Sequence, residues 1–224
     1  MPPAVIAHRG ASGHAFENSP AAFRRAMELG ADAVELDIHA TADGTLIVHH
    51  DPEVKGLGRI GDLPAAALAD HRLPNGERIP TLLEALSLLA GLDVWVELKS
   101  LPATCDAGLL AILDSGPSPR RYAVHAFDHR IIARLGNQRP ELRRGILLAS
   151  YLLDTLPVLR GVGADTLWME TSLIDEALVS DLHGDGLEIV AWTANDEREI
   201  RRLALLGVDG ICGNYPDRIR TALR

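Results

Sequence analysis

Short runs of apolar and β-branched residues recur along the chain at 5–7, 33–38, 94–98, 122–126, 145–148, 166–169, 187–192 and 210–212. They alternate with stretches whose apolar positions repeat at helical spacing, beginning near Pro20, Leu82, Ala107, Arg130, Leu152, Asp175, Asp196 and Asp217. Several helices carry their own punctuation. Ser19 can cap the first, Pro20 suits its opening position and Gly30 ends it. Asn195 can cap the seventh, with Asp196 and Glu197 in its first turn, and Gly207 closes that helix. Eight strand-and-helix units in 224 residues predict an α/β fold, a closed (β/α)8 TIM barrel, over its main rival, a doubly wound open sheet. No Pro/Gly/Ser-rich linker or shift in composition divides the chain, so residues 1–224 read as a single barrel domain.

One segment breaks the alternation. After Ile38 the chain runs through Asp43-Gly44 into Leu46-Ile47-Val48-His49-His50-Asp51, and Asp-Gly between two apolar runs predicts a β-hairpin after the second strand. With Asp43 and Gly44 as a two-residue loop, Asp37 stands opposite His50 and Ile38 opposite His49. Cross-strand partners share a face and strand side chains alternate, so Glu35, Asp37 and His50 converge while His49 points away.

Composition narrows the chemistry. A formal net charge of −9 with no basic run argues against nucleic-acid binding, and any anionic ligand then needs a local cluster of Arg, Lys or a metal cation. No basic leader and no stretch of about 18 apolar residues appears, so the reading is a cytoplasmic protein without stable membrane insertion. Cys105 and Cys212 are far apart and lack partners at zinc-site spacing, which predicts buried filler.

Titratable residues gather where the predicted strands end: His8 and Arg9, Glu35 and Asp37, His50, Glu97 and Lys99. The C-terminal strand ends form the active-site face of a barrel. Three carboxylates meeting there repel unless a cation sits among them, and oxygen donors suit Mg²⁺ or Ca²⁺. A metal-free core in which Arg9 and Lys99 pair with the carboxylates explains the same residues equally well. Two histidines beside carboxylates, with no evident serine or cysteine nucleophile, point to acid/base work. Among the other histidines, His125 precedes Ala126-Phe127-Asp128 at a strand end and is a candidate to line the pocket; the remainder read as surface or packing residues without useful carboxylate partners.

These pieces resemble, in order and spacing, the glycerophosphodiester phosphodiesterase family: His8-Arg9-Gly10, Glu17-Asn18-Ser19, Glu35-Leu36-Asp37, Thr41 with Asp43-Gly44, and His50-Asp51. Glu97-Leu98-Lys99, Ala126-Phe127-Asp128, Trp192-Thr193-Ala194-Asn195 and Gly207-Val208-Asp209-Gly210 extend the likeness over nearly the whole chain. The resemblance implies a metal-dependent phosphodiesterase on a barrel, releasing glycerol 3-phosphate and an alcohol from a small-molecule glycerophosphodiester. It implies Glu35, Asp37 and Glu97 as ligands of a divalent cation, Mg²⁺ or Ca²⁺, and His8 and His50 as the acid/base pair. Arg9 and Lys99 then hold phosphate oxygens, Trp192 walls the glycerol, and Glu17 and Asn18 support the site from the rim.

The chain departs from the family pattern at Asn214, where an aspartate is usual, at Phe16 and Ser19, and in a short stretch between Pro52 and Asn75. These changes bear on substrate preference, leaving open lysophospholipid or inositol-type head groups, or a silent glycerophosphate-binding module. Gly56-Leu57-Gly58-Arg59-Ile60-Gly61 matches a dinucleotide-binding pattern, but no strand runs directly into it and it reads as a loop on the rim.

Overall fold

The computed structural model describes residues 2–224. Eight parallel strands close on themselves: β1 (Ala4–His8), β2 (Ala33–Ala40), β6 (Asp93–Ser100), β7 (Tyr122–Ala126), β8 (Arg143–Leu148), β9 (Thr166–Glu170), β10 (Glu188–Trp192) and β11 (Gly210–Gly213). β11 returns to pair with β1, so the sheet is a (β/α)8 barrel, and the eight strands read from the sequence are these eight. The hairpin adds β3 (Leu46–Val48), and a two-stranded ribbon of β4 (Glu53–Val54) and β5 (Gly58–Arg59) follows it.

Helices α1 (Pro20–Glu28), α3 (Leu82–Leu88), α4 (Asp106–Ser115), α5 (His129–Gln138), α6 (Leu156–Val162), α7 (Glu176–Gly184), α8 (Glu197–Leu206) and α9 (Pro216–Ala222) accompany the barrel, and α2 (Ala65–Leu68) is a single turn after the ribbon. Ser19, Asp128, Asp175 and Asp196 cap their helices through side-chain oxygens, and Thr81 with Glu84 forms a full capping box. The seventh unit's Asp196 is the cap where Asn195 was expected. α6 begins at Leu156, four residues later than predicted; Pro157 suits only its first turn, which leaves 149–155 as a loop at the barrel mouth.

Apolar residues fill two layers. Outward-facing strand residues such as Val5, Leu36 and Val96 pack under the helices, whereas Ile6, Trp95, Leu147, Trp168, Val190 and Cys212 fill the interior. Two residues further along the same inward faces come His8, Glu35, Glu97, His125, Trp192 and Asn214, because strand side chains alternate. The polar site is therefore the layer immediately above a tryptophan-rich apolar floor.

The hairpin register differs from the expectation. Ile38 pairs with Val48, His39 with Ile47 and Ala40 with Leu46, one residue away from the two-residue-loop reading. Only Gly44 (φ +81°) is left-handed; Asp43 is not, and a two-residue type I′ turn needs positive φ at both central residues. Gly44 instead donates to the Thr41 carbonyl, and Thr41 N–H bonds Thr45 across a three-residue loop.

At the last barrel strand, a Cβ added to Gly213 meets the Ala194 carbonyl oxygen at 2.2 Å. Backbone cannot yield as a flexible side chain can, so Gly213→Ala should cost at least about 1–3 kcal/mol and displace Asn214. Urea unfolding of the two proteins measures the loss; an unchanged midpoint would show that the strand end is looser than described.

Candidate active site

β2 organises the site through its two edges. On one edge its lower half pairs with β1, ending at His8 opposite Glu35, and its upper half pairs with β3 running the other way. β1 and β3 thus approach each other end to end along that edge. The gap between them lies beside Leu36 and Asp37, with His8 below it and the segment 49–50 above, where His49 N–H donates to the Asp37 carbonyl at 3.1 Å. On the other edge Asp37 pairs with Glu97 and Glu97 with His125.

The expected set is largely brought together. Glu35, Asp37 and Glu97 are buried, and each offers an oxygen within 4.8 Å of the others'. Lys99 places Nζ 2.6 Å from Glu97 Oε1 and 3.1 Å from Asp37 Oδ1. It is the residue skipped where pairing jumps from Ile38–Leu98 to His39–Ser100, a bulge of the kind that re-aims side chains beside active sites. Arg9 lies in the left-handed region (φ 55°), a costly conformation that turns its backbone N–H onto Glu35 Oε2 at 3.0 Å. Its guanidinium reaches Asp37 Oδ2 at 3.2 Å and Glu17 Oε2 at 2.9 Å.

Asn18 is not at the rim. It is 3% exposed, donates from Nδ2 to Asp37 Oδ2 at 2.7 Å and accepts the Asp37 backbone N–H at Oδ1, so both ends of its amide are spent on Asp37, one on the carboxylate and one on the main chain. Glu17 is the rim member of the pair, with a side chain 38% exposed.

Charge is distributed unevenly across the three acids. Burial pushes Asp37 upward, but Lys99, Arg9 and the Asn18 hydrogen bond together hold it below its ordinary value. Burial, with Asp37 and Glu97 nearby, raises Glu35 well above the usual carboxylate range. Burial also lifts Glu97 to about 7 against the pull of Lys99. Three carboxylates face two cations, and Glu35 Oε1 has no hydrogen-bond donor among the described residues. An orphaned, fully buried carboxylate oxygen in an all-oxygen cluster fits a hard divalent cation.

His8 donates from Nδ1 to Asn214 Oδ1 at 2.7 Å, so Asn214 orients the imidazole in place of a carboxylate. Burial, then the neighbouring Arg9 charge, lowers His8 to about 4. His50 has its Nδ1 2.8 Å from the exposed carboxylate of Asp51. His49 instead bonds the Asp51 carbonyl through Nδ1. The strand ends at Val48, so alternation no longer governs these two residues. The expected pairing of Asp37 with His50 does not form, since the observed register is shifted by one residue.

His125 is buried beneath Glu35, with Nε2 3.9 Å from Glu35 Oε1 and its ring 4.2 Å from that of Trp168. Burial keeps it neutral, with its pKa lowered to about 3. With Trp168, Trp192, Glu35 and His8 it lines a cavity of about 10 Å³, room for one water-sized group. Trp192 closes that cavity and meets Phe127 edge-on at 5.6 Å across the mouth.

The sequence reading missed three polar contacts because their partners are remote in the chain. His14 bonds Asp217 and His183 bonds Asp209, so both have carboxylates after all. His39 is buried against Ser100 and the His50 carbonyl. A concavity of about 470 Å³ opens at the opposite end of the barrel. Most of its acids are paired, Asp32 with Arg220, Asp93 with Arg121, Glu188 with Arg143 and Asp209 with His183, and no histidine lines it.

Comparison with known proteins agrees with this geometry. The profile of the Glycerophosphoryl diester phosphodiesterase family matches residues 8–218. A glycerophosphodiester phosphodiesterase of Caldanaerobacter subterraneus is 32% identical over 98% of this chain and 97% of its own length. One from Bacillus altitudinis is 28% identical over 96% and 95%. Among solved structures, an Oleispira antarctica phosphodiesterase in complex with the product sn-glycerol-3-phosphate superposes with a TM-score of 0.93 at 28% identity, covering 99% of this chain and 97% of that one. A glycerophosphodiester phosphodiesterase from Parabacteroides distasonis gives 0.89 at 26% identity, covering 98% and 96%. The barrel, the acidic cluster between β2 and β6 and these relatives together place the chain in the glycerophosphodiester phosphodiesterase family, with that family's hydrolysis of glycerophosphodiesters as its activity.

Proposed function

We propose that Glu35, Asp37 and Glu97 hold one divalent cation, Mg²⁺ or Ca²⁺, and that His8 and His50 transfer the protons as a glycerophosphodiester is cleaved to glycerol 3-phosphate and an alcohol. The observation that carries this reading is the cluster of three buried carboxylates, with His8 ending β1 opposite Glu35 and His50 two residues past the end of β3 on the same edge of β2. The glycerol 3-phosphate in the Oleispira antarctica structure supports the product side of it.

When bound, the cation supplies neutralisation of the phosphodiester and stabilisation of charge developing on its oxygens. Arg9, whose guanidinium also reaches Glu17 at the rim, binds one phosphate oxygen, and Lys99, beyond Glu97 on β6, binds another. The two histidines divide the proton work by their partners. His8 holds its proton on Nδ1 toward Asn214, leaving the Nε2 lone pair free to take the nucleophile's proton. His50, with the Asp51 carboxylate at its Nδ1, is the partner that delivers a proton to the departing alkoxide.

Chelator-treated protein should release no glycerol 3-phosphate from glycerophosphocholine or its ethanolamine, glycerol and inositol counterparts, and added Mg²⁺ or Ca²⁺ should restore release. Full activity after chelation would sink the metal assignment. Binding should also be proton-linked. A cation needs the ionised carboxylate, and Glu97 in the metal-free protein is half protonated near pH 7. Affinity should therefore rise with pH from 6 to 8, and calorimetry in buffers of different ionisation enthalpy should register proton release. A pH-independent affinity would exclude Glu97 as a ligand.

A second reading, hydrolysis of lysophospholipids, draws on the apolar mouth: Phe127, Tyr151 and Leu153 are exposed on the loops after β7 and β8. It requires a higher kcat/KM for lysophosphatidylcholine than for glycerophosphocholine. Among the described residues no helix is long and apolar enough to cross a membrane.

A further inference from the structure

The ring of His50 is held by little. It is about one-third exposed, and the Asp51 carboxylate at its Nδ1 is 69% exposed, so that contact is solvated and weak. The β2–β3 ladder ends at Ile38–Val48 and adds one bond, His49 N–H to the Asp37 carbonyl, before the chain bends away. The next backbone group is held by a side chain. His39 Nε2 lies 3.0 Å from the His50 carbonyl oxygen, and its Nδ1 lies 3.2 Å from Ser100 Oγ.

A carbonyl only accepts, so Nε2 carries the proton, and the Nδ1 lone pair then accepts from the Ser100 hydroxyl. Three features hold the imidazole in that orientation. It is 5% exposed. It follows Glu35 and Asp37 on the inward face of β2, two residues along. The bulge in β6 brings Ser100, and not Lys99, opposite it. His39 thus ties the strand that carries two of the three acids to the backbone of the second histidine.

We propose that His39 is the positioning residue for His50: by donating from Nε2 to the His50 carbonyl it fixes the distance from the His50 imidazole to the reacting phosphodiester without touching substrate. The proposal rests on the assignment of proton transfer to His50. Small displacements of a proton-transfer group cost roughly 10²-fold in rate, while ground-state binding of the phosphodiester by Arg9 and Lys99 is unaffected.

The test uses the full chain with saturating Mg²⁺. His39→Asn keeps a buried polar side chain but is too short to reach the His50 carbonyl, whereas the amide of His39→Gln reaches the place of Nε2. His39→Asn should lower kcat by roughly 10- to 10²-fold with KM within about twofold, and His39→Gln should recover most of the loss. In a His50→Ala background, His39→Asn should cost nothing further, because residues acting through one group are not additive. Ser100→Ala, which frees the tautomer without emptying the site, should fall between wild type and His39→Asn. Losses that multiply in the double variant, a change in KM in place of kcat, or a Gln variant no better than Asn would each overturn the proposal. Wild-type turnover in His50→Ala would instead remove His50 from the chemistry, and the positioning role would fall with that assignment alone.

Discussion

Alanine at position 8 or position 50 should lower kcat by about 10² or more and leave KM far less changed, because proton transfer contributes to the transition state and not to ground-state binding. The two variants should then part company on a substrate whose leaving group needs no proton. A p-nitrophenyl phosphodiester should restore turnover to His50→Ala, the variant lacking the acid, and leave His8→Ala inactive. The double variant should be little worse than the poorer single. His49→Ala, which removes a ring bonded only to the Asp51 carbonyl, is the internal control and should turn over almost normally. Rescue of both histidine variants, or of neither, would defeat the separation of roles even with the metal site intact. An inactive His49→Ala would mean that the wrong neighbour has been placed in the site.

Lys99→Met should be the most destabilising change within the site. The ammonium group stands between Asp37 and Glu97, and its removal leaves three buried carboxylates facing Arg9 alone. Removing one partner of a buried ion pair costs roughly 3–5 kcal/mol, since the stranded charge remains desolvated. For a chain of this length that corresponds to a fall in Tm of roughly 10 °C in metal-free buffer. Excess Mg²⁺ should recover much of the stability by supplying the missing positive charge, while turnover stays low for want of the phosphate contact. Equal melting temperatures for variant and wild type without metal would show that Lys99 does not neutralise the cluster.

The barrel was legible because its strands are short and apolar and, outside the segment between β2 and β6, alternate with helices at regular intervals. Glu35, Asp37 and Glu97 were legible for the same reason: period-two alternation and strand-end position fix their direction without any knowledge of distant contacts. The hairpin was harder. Asp-Gly serves both a two-residue turn and a three-residue loop, and the choice rests on whether Asp43 takes positive φ. Here Asp43 accepts from Ala65 N–H and the Thr41 hydroxyl, contacts that hold it within the longer loop. His50 is placed by a bend after Val48, which no periodicity encodes. Asn18, placed at the rim by analogy of position, is drawn beneath Asp37 by a left-handed backbone (φ 53°) that its residue type tolerates. His39 gave no signal, because both its partners, Ser100 and the His50 carbonyl, are supplied by the tertiary fold.

The bond from Val48 N–H to the Pro80 carbonyl and the bridge between Ile47 and Thr81 close the excursion after β3 where it began. Everything between these two points hangs from a clasped stem, with a small core of its own in Ile47, Val54, Ile60 and Leu68. Lengthening such a closed excursion costs little, since loop-closure entropy grows only logarithmically. The barrel can therefore exchange this segment for a larger or smaller one as an interchangeable cassette. His50 and Asp51 sit at the root of the excursion beside the clasp, so a cassette traded beyond them, from Pro52 onward, alters what reaches the reacting groups while their mutual spacing is kept.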